Sequence, residues 1–194
     1  MNESWEASLR RITFDPVSYI HPRRQRMPDA FFSARHRMTV NDMLLSRYQL
    51  RVEHVMPAPG SIAARFVVHW QRLQQVAFLL ACQRLRGALA RQAAFSRLPE
   101  WARQFAGLSI SSPMVATRSV APSLEMLMIE GYRQLMAWGS ELPLVLAQRV
   151  PLLFPPEVDA LSNSGRHCAP DVFLLTLAIQ HAQRNPDSPR FVGA

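Results

Sequence analysis

The chain has 194 residues, 48% of them apolar, which suits one folded domain with a sizeable core and excludes wholesale disorder. Its net charge is +8 and all 22 basic residues are arginine, which excludes mechanisms that need a lysine, such as the Walker A phosphate loop and Schiff-base catalysis. Two distant cysteines (Cys82 and Cys168), an opening with Glu3 and Glu6 and no cleavable apolar segment, and no apolar run near the ~18–20 residues of a membrane span lead to the expectation of a reduced cytoplasmic protein.

No run alternates as a strand would, so the expected fold is all-α. Fifteen prolines against seven glycines predict many short-to-medium helices punctuated by proline, in one compact domain over 1–194 with 1–11 and 187–194 loosely ordered. Asn2 can cap a first helix to about Ile12. Asp15-Pro16 reads as a cap with proline at the first helical position, giving a short turn through Ile20. His21 to Met38 reads as irregular, and Thr39 with Asp42 starts a helix carrying Leu44, Leu45 and Tyr48. Met56-Pro57-Ala58-Pro59-Gly60 is a loop.

Ser61 caps the longest predicted element, a central helix with Phe66, Trp70, Leu73, Ala77 and Leu80 on one stripe. Continuing that spacing reaches Arg84, Gly87 and Arg91. A bend near Cys82 that brings Ala81, Leu85 and Ala88 inward is simpler than burying unpaired charges. Leu98-Pro99-Glu100 restarts a helix with Trp101 and Phe105 inside, and Ser109 to Ser119 is a loop. Pro122 opens a helix with the stripe Leu124, Leu127, Met128, Gly131, Leu135 and Trp138, where Gly131 implies close approach of another backbone and Gly139 a C-terminal cap. Pro143, Pro151 and Pro155-Pro156 punctuate two short helices, and Asn163 to Ala169 is a polar loop. Pro170-Asp171 starts the last helix, with Leu174, Leu177, Ala178 and His181 on one face, and Asn185-Pro186 ends it.

Chemistry is hard to find in this pattern. His167-Cys168 has no second pair at zinc spacing, His181 sits at core spacing, and Glu125 and Glu130 share no helical face well. Nucleophile-elbow, zincin and dinucleotide-binding patterns are absent, so the sequence predicts no catalytic residue, metal or cofactor. Charge is the clearer signal. Residues 1–97 carry 15 arginines against 6 acids, a net of +9, and residues 98–194 carry 7 against 8, a net of −1. The first half is therefore expected to face an acidic partner or nucleic acid. Arg23, Arg24, Arg26, Arg35 and Arg37 form either a solvated strip or an acidic-protein docking site. Arg65, Arg72 and Arg86 fall on one face of the predicted central helix and extend that basic surface if they are not merely solvated.

Two runs, Phe14-Asp15-Pro16-Val17-Ser18-Tyr19-Ile20-His21-Pro22 and Gln148-Arg149-Val150-Pro151-Leu152-Leu153-Phe154-Pro155-Pro156, resemble the OrgA/MxiK (SctK) family of type III secretion sorting-platform adaptors. Similarity continues in order through Trp70-Gln71-Arg72-Leu73, Leu98-Pro99-Glu100-Trp101-Ala102, Gly131-Tyr132-Arg133-Gln134-Leu135 and Ile179-Gln180-His181-Ala182-Gln183, from about Ile12 to Pro189. The matching positions, among them Phe14, Asp15, Pro16, Tyr19, His21, Pro22, Trp70, Pro151, Phe154, Pro155 and Pro156, are packing and turn residues. Tyr19 to Pro22 is expected to pack its loop against the core.

The resemblance implies a non-enzymatic cytoplasmic adaptor beneath the inner-membrane ring. It would lie between the cytoplasmic domain of an SctD-type ring protein and pods built from an SctQ-type scaffold, which lead on to an SctL-type stator and an SctN-type ATPase. Loss of such an adaptor would prevent platform assembly and export. A basic helical nucleic-acid-binding protein and a secretion chaperone are the competing readings, and neither accounts for the ordered string of family-like segments.

Overall fold

The computed structural model describes residues 2–26, 33–53, 55–91, 94–110, 122–162 and 169–186. Among them are helices, 3-10 turns and connecting loops, with no strand. The fold is all-α. The chain divides into two compact units, Met1–Gln71 with Trp138–Asp159, and Arg72–Ala137 with Ala160–Ala194.

The first unit opens with α1 (Asn2–Phe14), so residues expected to be loose lie in a helix. Leu9 and Ile12 of its inner side are buried. Pro16–Ser18 forms a 3-10 turn, started by a proline whose missing N–H costs nothing at that position. Helix α2 spans Ala34–Arg47, five residues longer at its start than the Thr39–Asp42 pattern predicts. Thr39 and Asp42 are exposed on its middle turns, where hydroxyl and carboxylate groups meet water and cap nothing. Ser33 holds the capping position, with its hydroxyl on His36 Nδ1 at 2.8 Å. After the loop to Gly60, which takes a left-handed φ of +78°, Ser61 caps α3 (Ile62–Val68) by accepting the Ala64 N–H at 3.2 Å. Helices α8 (Leu144–Ala147) and most of α9 (Pro156–Ser162) complete this unit, with a 3-10 turn at Val150–Leu153 between them.

The single long central helix expected after Ser61 does not form. The chain turns at His69, passes through a 3-10 turn at Trp70–Arg72, and continues as α4 (Leu73–Arg84). Leu85 then interrupts it before α5 (Arg86–Arg91). This second break is the bend expected near Cys82, and it buries Leu85 and Ala88. Arg84 is half-buried with Glu130 at 3.8 Å.

Helix α4 is the core of the second unit, buried almost all round from Val76 to Gln83. Packed against it are α6 (Glu100–Ala106), α7 (Leu124–Met136) and α10 (Val172–Arg184). Helix α7 crosses α4 at Gly131, where a Cβ would overlap the Ala77 carbonyl and stand 3.1 Å from its Cα. That is the close backbone approach the stripe implied. Leu127, Met128, Leu135 and Trp138 are buried as expected, whereas Leu124 is exposed in the first turn. Gly139 begins a 3-10 turn, and Ala137 is the capping residue of α7. Ser123 and Asp171 cap α7 and α10 by accepting the N–H of Met126 (3.1 Å) and Leu174 (2.9 Å). The buried face of α10 is Leu174, Leu175, Ala178, Ile179 and Ala182, so its centre lies beside the predicted one. The loop read at Ser109 to Ser119, the polar loop at Asn163 to Ala169 and the tail from Asp187 fall mostly outside the described residues.

Candidate partner interface

The aspartate of the Asp15-Pro16 step does not cap its own turn. Its carboxylate accepts a two-pronged contact from Arg37, with Nε at 3.0 Å and Nη2 at 2.6 Å, and a third bond from Asn41 Nδ2 at 2.9 Å. Asn41 Oδ1 in turn accepts the Val17 N–H at 3.1 Å, so α2 is fixed to the turn by a charge-assisted cluster. These bonds raise the Arg37 pKa above its usual value.

A second cluster closes the loop after it. His21 is buried, donates its backbone N–H to the Leu152 carbonyl at 2.8 Å and accepts the Arg23 N–H on Nδ1 at 3.1 Å. Burial, then the charges of Arg23 and Arg24, lowers its pKa. Arg24 donates Nε to the Phe154 carbonyl at 2.7 Å and pairs with Asp159. Tyr19 is buried, edge-on to Trp70 with ring centroids 5.4 Å apart.

The residue that ties these pieces together is one that periodicity passes over. Arg149 is fully buried, 0% exposed, and among the described residues no carboxylate is bonded to it. It donates Nε to Ile12 O (3.1 Å), Nη2 to Thr13 O (2.8 Å) and Nη1 to Val145 O (2.8 Å), and the Tyr19 hydroxyl also donates to Ile12 O at 2.9 Å. Two of those carbonyls end α1, where the helix offers them no N–H donor of its own and carries partial negative charge. A fork with five N–H donors satisfies several such groups at once, which a lysine cannot do. The available signal was one charge inside the apolar run Val145 to Phe154.

The eight arginines proposed as a partner surface divide sharply. Arg23 and Arg26 are exposed. Arg24 and Arg37 hold the clusters just described. Arg72 donates to the Ala182 carbonyl near the C-terminal end of α10, and Arg86 to Leu108 O at 2.8 Å. Arg65 is half-buried on α3, and the Arg35 side chain lies outside the described residues. Arg65, Arg72 and Arg86 form no row along one helix, because the helix that would carry them is broken twice. Among the motif positions, Pro16, Trp70 and Phe154 are buried, Pro151, Pro155 and Pro156 are half-buried, and Phe14 and Pro22 are exposed.

The described part also bears on chemistry and membranes. No group of three or more His, Cys, Asp or Glu side chains among the described residues could hold a metal. His167 and Cys168 lie outside them. Cys82 is buried, which pushes its thiol pKa well above the usual value. No described helix is long and apolar enough to cross a membrane.

Comparison with known proteins gives the class of this α-helical chain. Residues 9–184 match the family described as bacterial type III secretion apparatus protein (OrgA_MxiK), and the chain belongs to that family. It is 37% identical over 179 residues to the oxygen-regulated invasion protein OrgA of Salmonella typhimurium, covering 92% of this chain and 88% of the relative. Protein MxiK of Shigella flexneri is 26% identical over 176 residues, covering 90% and 87%. No solved structure matches.

Proposed function

We propose that this protein is a non-enzymatic adaptor of a bacterial type III secretion system, joining an inner-membrane ring protein of the SctD type to pods of an SctQ-type scaffold at the cytoplasmic face of the ring. Through the pods it would reach the SctL-type stator and SctN-type ATPase, so that platform assembly and export depend on it. The observation that carries this reading is membership, over nearly the whole chain, of a family of secretion-apparatus proteins. The strong excess of arginine in residues 1–97 supports docking on an acidic protein surface. Arg24 and Arg37 bond within the chain, and Arg23 and Arg26 are the exposed members of the first cluster.

The test is affinity purification of the tagged full chain from its own bacterium after nuclease treatment, followed by mass spectrometry. Ring, pod and ATPase-complex proteins are expected among the recovered species. The double reversal Arg23→Glu/Arg26→Glu should still fold, which its melting curve checks, and recover them several-fold less well. Ribonucleoproteins lost on nuclease treatment, with no secretion component, would replace the adaptor by a nucleic-acid binder.

A further inference from the structure

The C-terminal end of α1 carries a feature that fold and clusters leave unused. Phe14, its last residue, is 52% exposed although the helix end beneath it is held by buried hydrogen bonds. The carbonyls of Ile12 and Thr13, two and one residues before it, are bonded by the buried Arg149 guanidinium, and Ile12 O also by Tyr19. An aromatic ring in water on a rigid support has already lost the backbone freedom that binding would otherwise cost it. Val52, also exposed, stands across a shallow crevice from it, lined by Leu9, Arg10, Thr13, Phe14, Val52, Glu53 and Val55.

The charges around this crevice are lopsided. Arg10 and Arg11 are exposed on the last turns of α1, and Arg51 follows beside Val52. The carboxylates nearby are already engaged, Glu53 with Arg51 at 3.1 Å and Asp15 with Arg37 at 2.6 Å. The partial negative charge of a helix C-terminus would ordinarily repel an acidic ligand, but here Arg149 lies on its carbonyls. What is left outside is an apolar pair beside exposed arginines, Arg10 and Arg11, the second 3.9 Å from Asp15, with Arg51 already paired to Glu53. The carboxylate of Glu53 on the rim disfavours a phosphate polyanion, whereas a peptide offers discrete acids that can be placed away from it.

We propose that this crevice docks an acidic segment of a partner apparatus protein, with an apolar side chain seated between Phe14 and Val52 and flanking carboxylates on Arg10 and Arg11. The site rests on the adaptor reading and gives it a location and a chemistry. A patch this small makes one weak contact within an assembly, with Phe14 as its anchor.

The experiment uses the full chain against an array of 15-residue peptides tiling the cytoplasmic domain of the ring protein and the pod scaffold of the same bacterium. Wild type should capture peptides in which acids flank a large apolar residue. Phe14→Ser and Arg10→Glu/Arg11→Glu should each weaken that capture about tenfold or more at unchanged melting temperature. Phe173→Ser, at an exposed aromatic on α10, should bind as wild type does. Capture of peptides without acids, equal capture by Phe14→Ser, or Phe14-dependent binding of polyuridine or of phosphatidylglycerol vesicles in place of peptides overturns the site.

Co-purification of the same variants separates the two readings. If wild type and variants recover ring and scaffold proteins equally, the crevice is not the site and the adaptor stands. If wild type recovers neither and captures no acidic peptide, both fall.

Discussion

The two units of the chain are built on different physics. In the second, α4 is enclosed by α6, α7 and α10, with Gly131 letting backbones meet and Phe78 lying 5.7 Å from Trp101 and Phe105 5.3 Å from His181 between ring centroids. Its centre is ordered by shape, with polar bonds such as Arg72 on Ala182 O and Gln75 on Asn185 O toward the end of α10. In the first unit, long-range polar bonds fix the helices and turns: Arg149 on three carbonyls, Asp15 on Arg37 and Asn41, Arg24 on Phe154 and Asp159. A unit of pins tolerates little loss of any one donor, and a packed unit tolerates little added volume.

The sharpest way to break this contrast is Arg149→Met, which keeps much of the volume and removes every donor. Thr13 O and Val145 O then lack their donor and Ile12 O keeps only the Tyr19 hydroxyl, and the expected loss is about 4 kcal/mol, offset in part because a buried charge is also removed. That is a large fraction of a typical domain's stability, so the variant should unfold at much lower urea or fail to fold. Arg149→Lys should rescue little of it, since one ammonium cannot span the fan of acceptors. A loss below about 1 kcal/mol for the methionine variant would mean that apolar burial holds this unit too.

In the packed unit the matching test is Gly131→Ala. The new Cβ meets the Ala77 backbone, which cannot swing aside as a flexible side chain would, so about 3 kcal/mol should be lost by overpacking. Helix propensity alone predicts the opposite sign, a gain of about 1 kcal/mol for alanine over glycine. A stabilised variant would show that α4 and α7 can move apart at little cost.

The same contrast explains what sequence could reveal. Stripes on α4 and α7, the caps at Ser61 and Asp171 and the close approach at Gly131 are local or periodic, and each was legible. The break at Trp70–Arg72 was not. A 3-10 turn of three residues advances about 20° more per residue than an α-helix, so Phe66, Trp70, Leu73 and Ala77 all stay buried and the stripe looks continuous across it. The pins were illegible for another reason. Asp15 meets Arg37 and Asn41 from 22 and 26 positions away, and Arg149 meets Ile12 from 137, with no spacing rule to join them. A count of positive charge therefore mixed structural arginines with surface ones. The sequence motif around Phe14 marked the region of the candidate crevice, but only burial shows that the ring itself faces water.

The subtlest test of the pinned unit is its response to acid. His21 is buried beside Arg23 and Arg24, and its pKa lies below the usual 6.5, with burial the larger cause and Glu157 opposing it weakly. Between that lowered value and 6.5, an unfolded chain binds a proton that the folded chain refuses, so stability must rise with pH across the window. The contribution is complete above 6.5 and is lost as pH falls through the folded value. His21→Asn places an acceptor near Nδ1 and does not titrate, so urea midpoints of wild type and variant at pH 7.5, 6.5 and 5.5 isolate the effect from the other histidines. The wild type's advantage should shrink steadily toward acid. A difference constant with pH would mean that the imidazole is protonated as readily in the fold as in water, and that this loop is held more loosely than the Leu152 and Arg23 bonds imply.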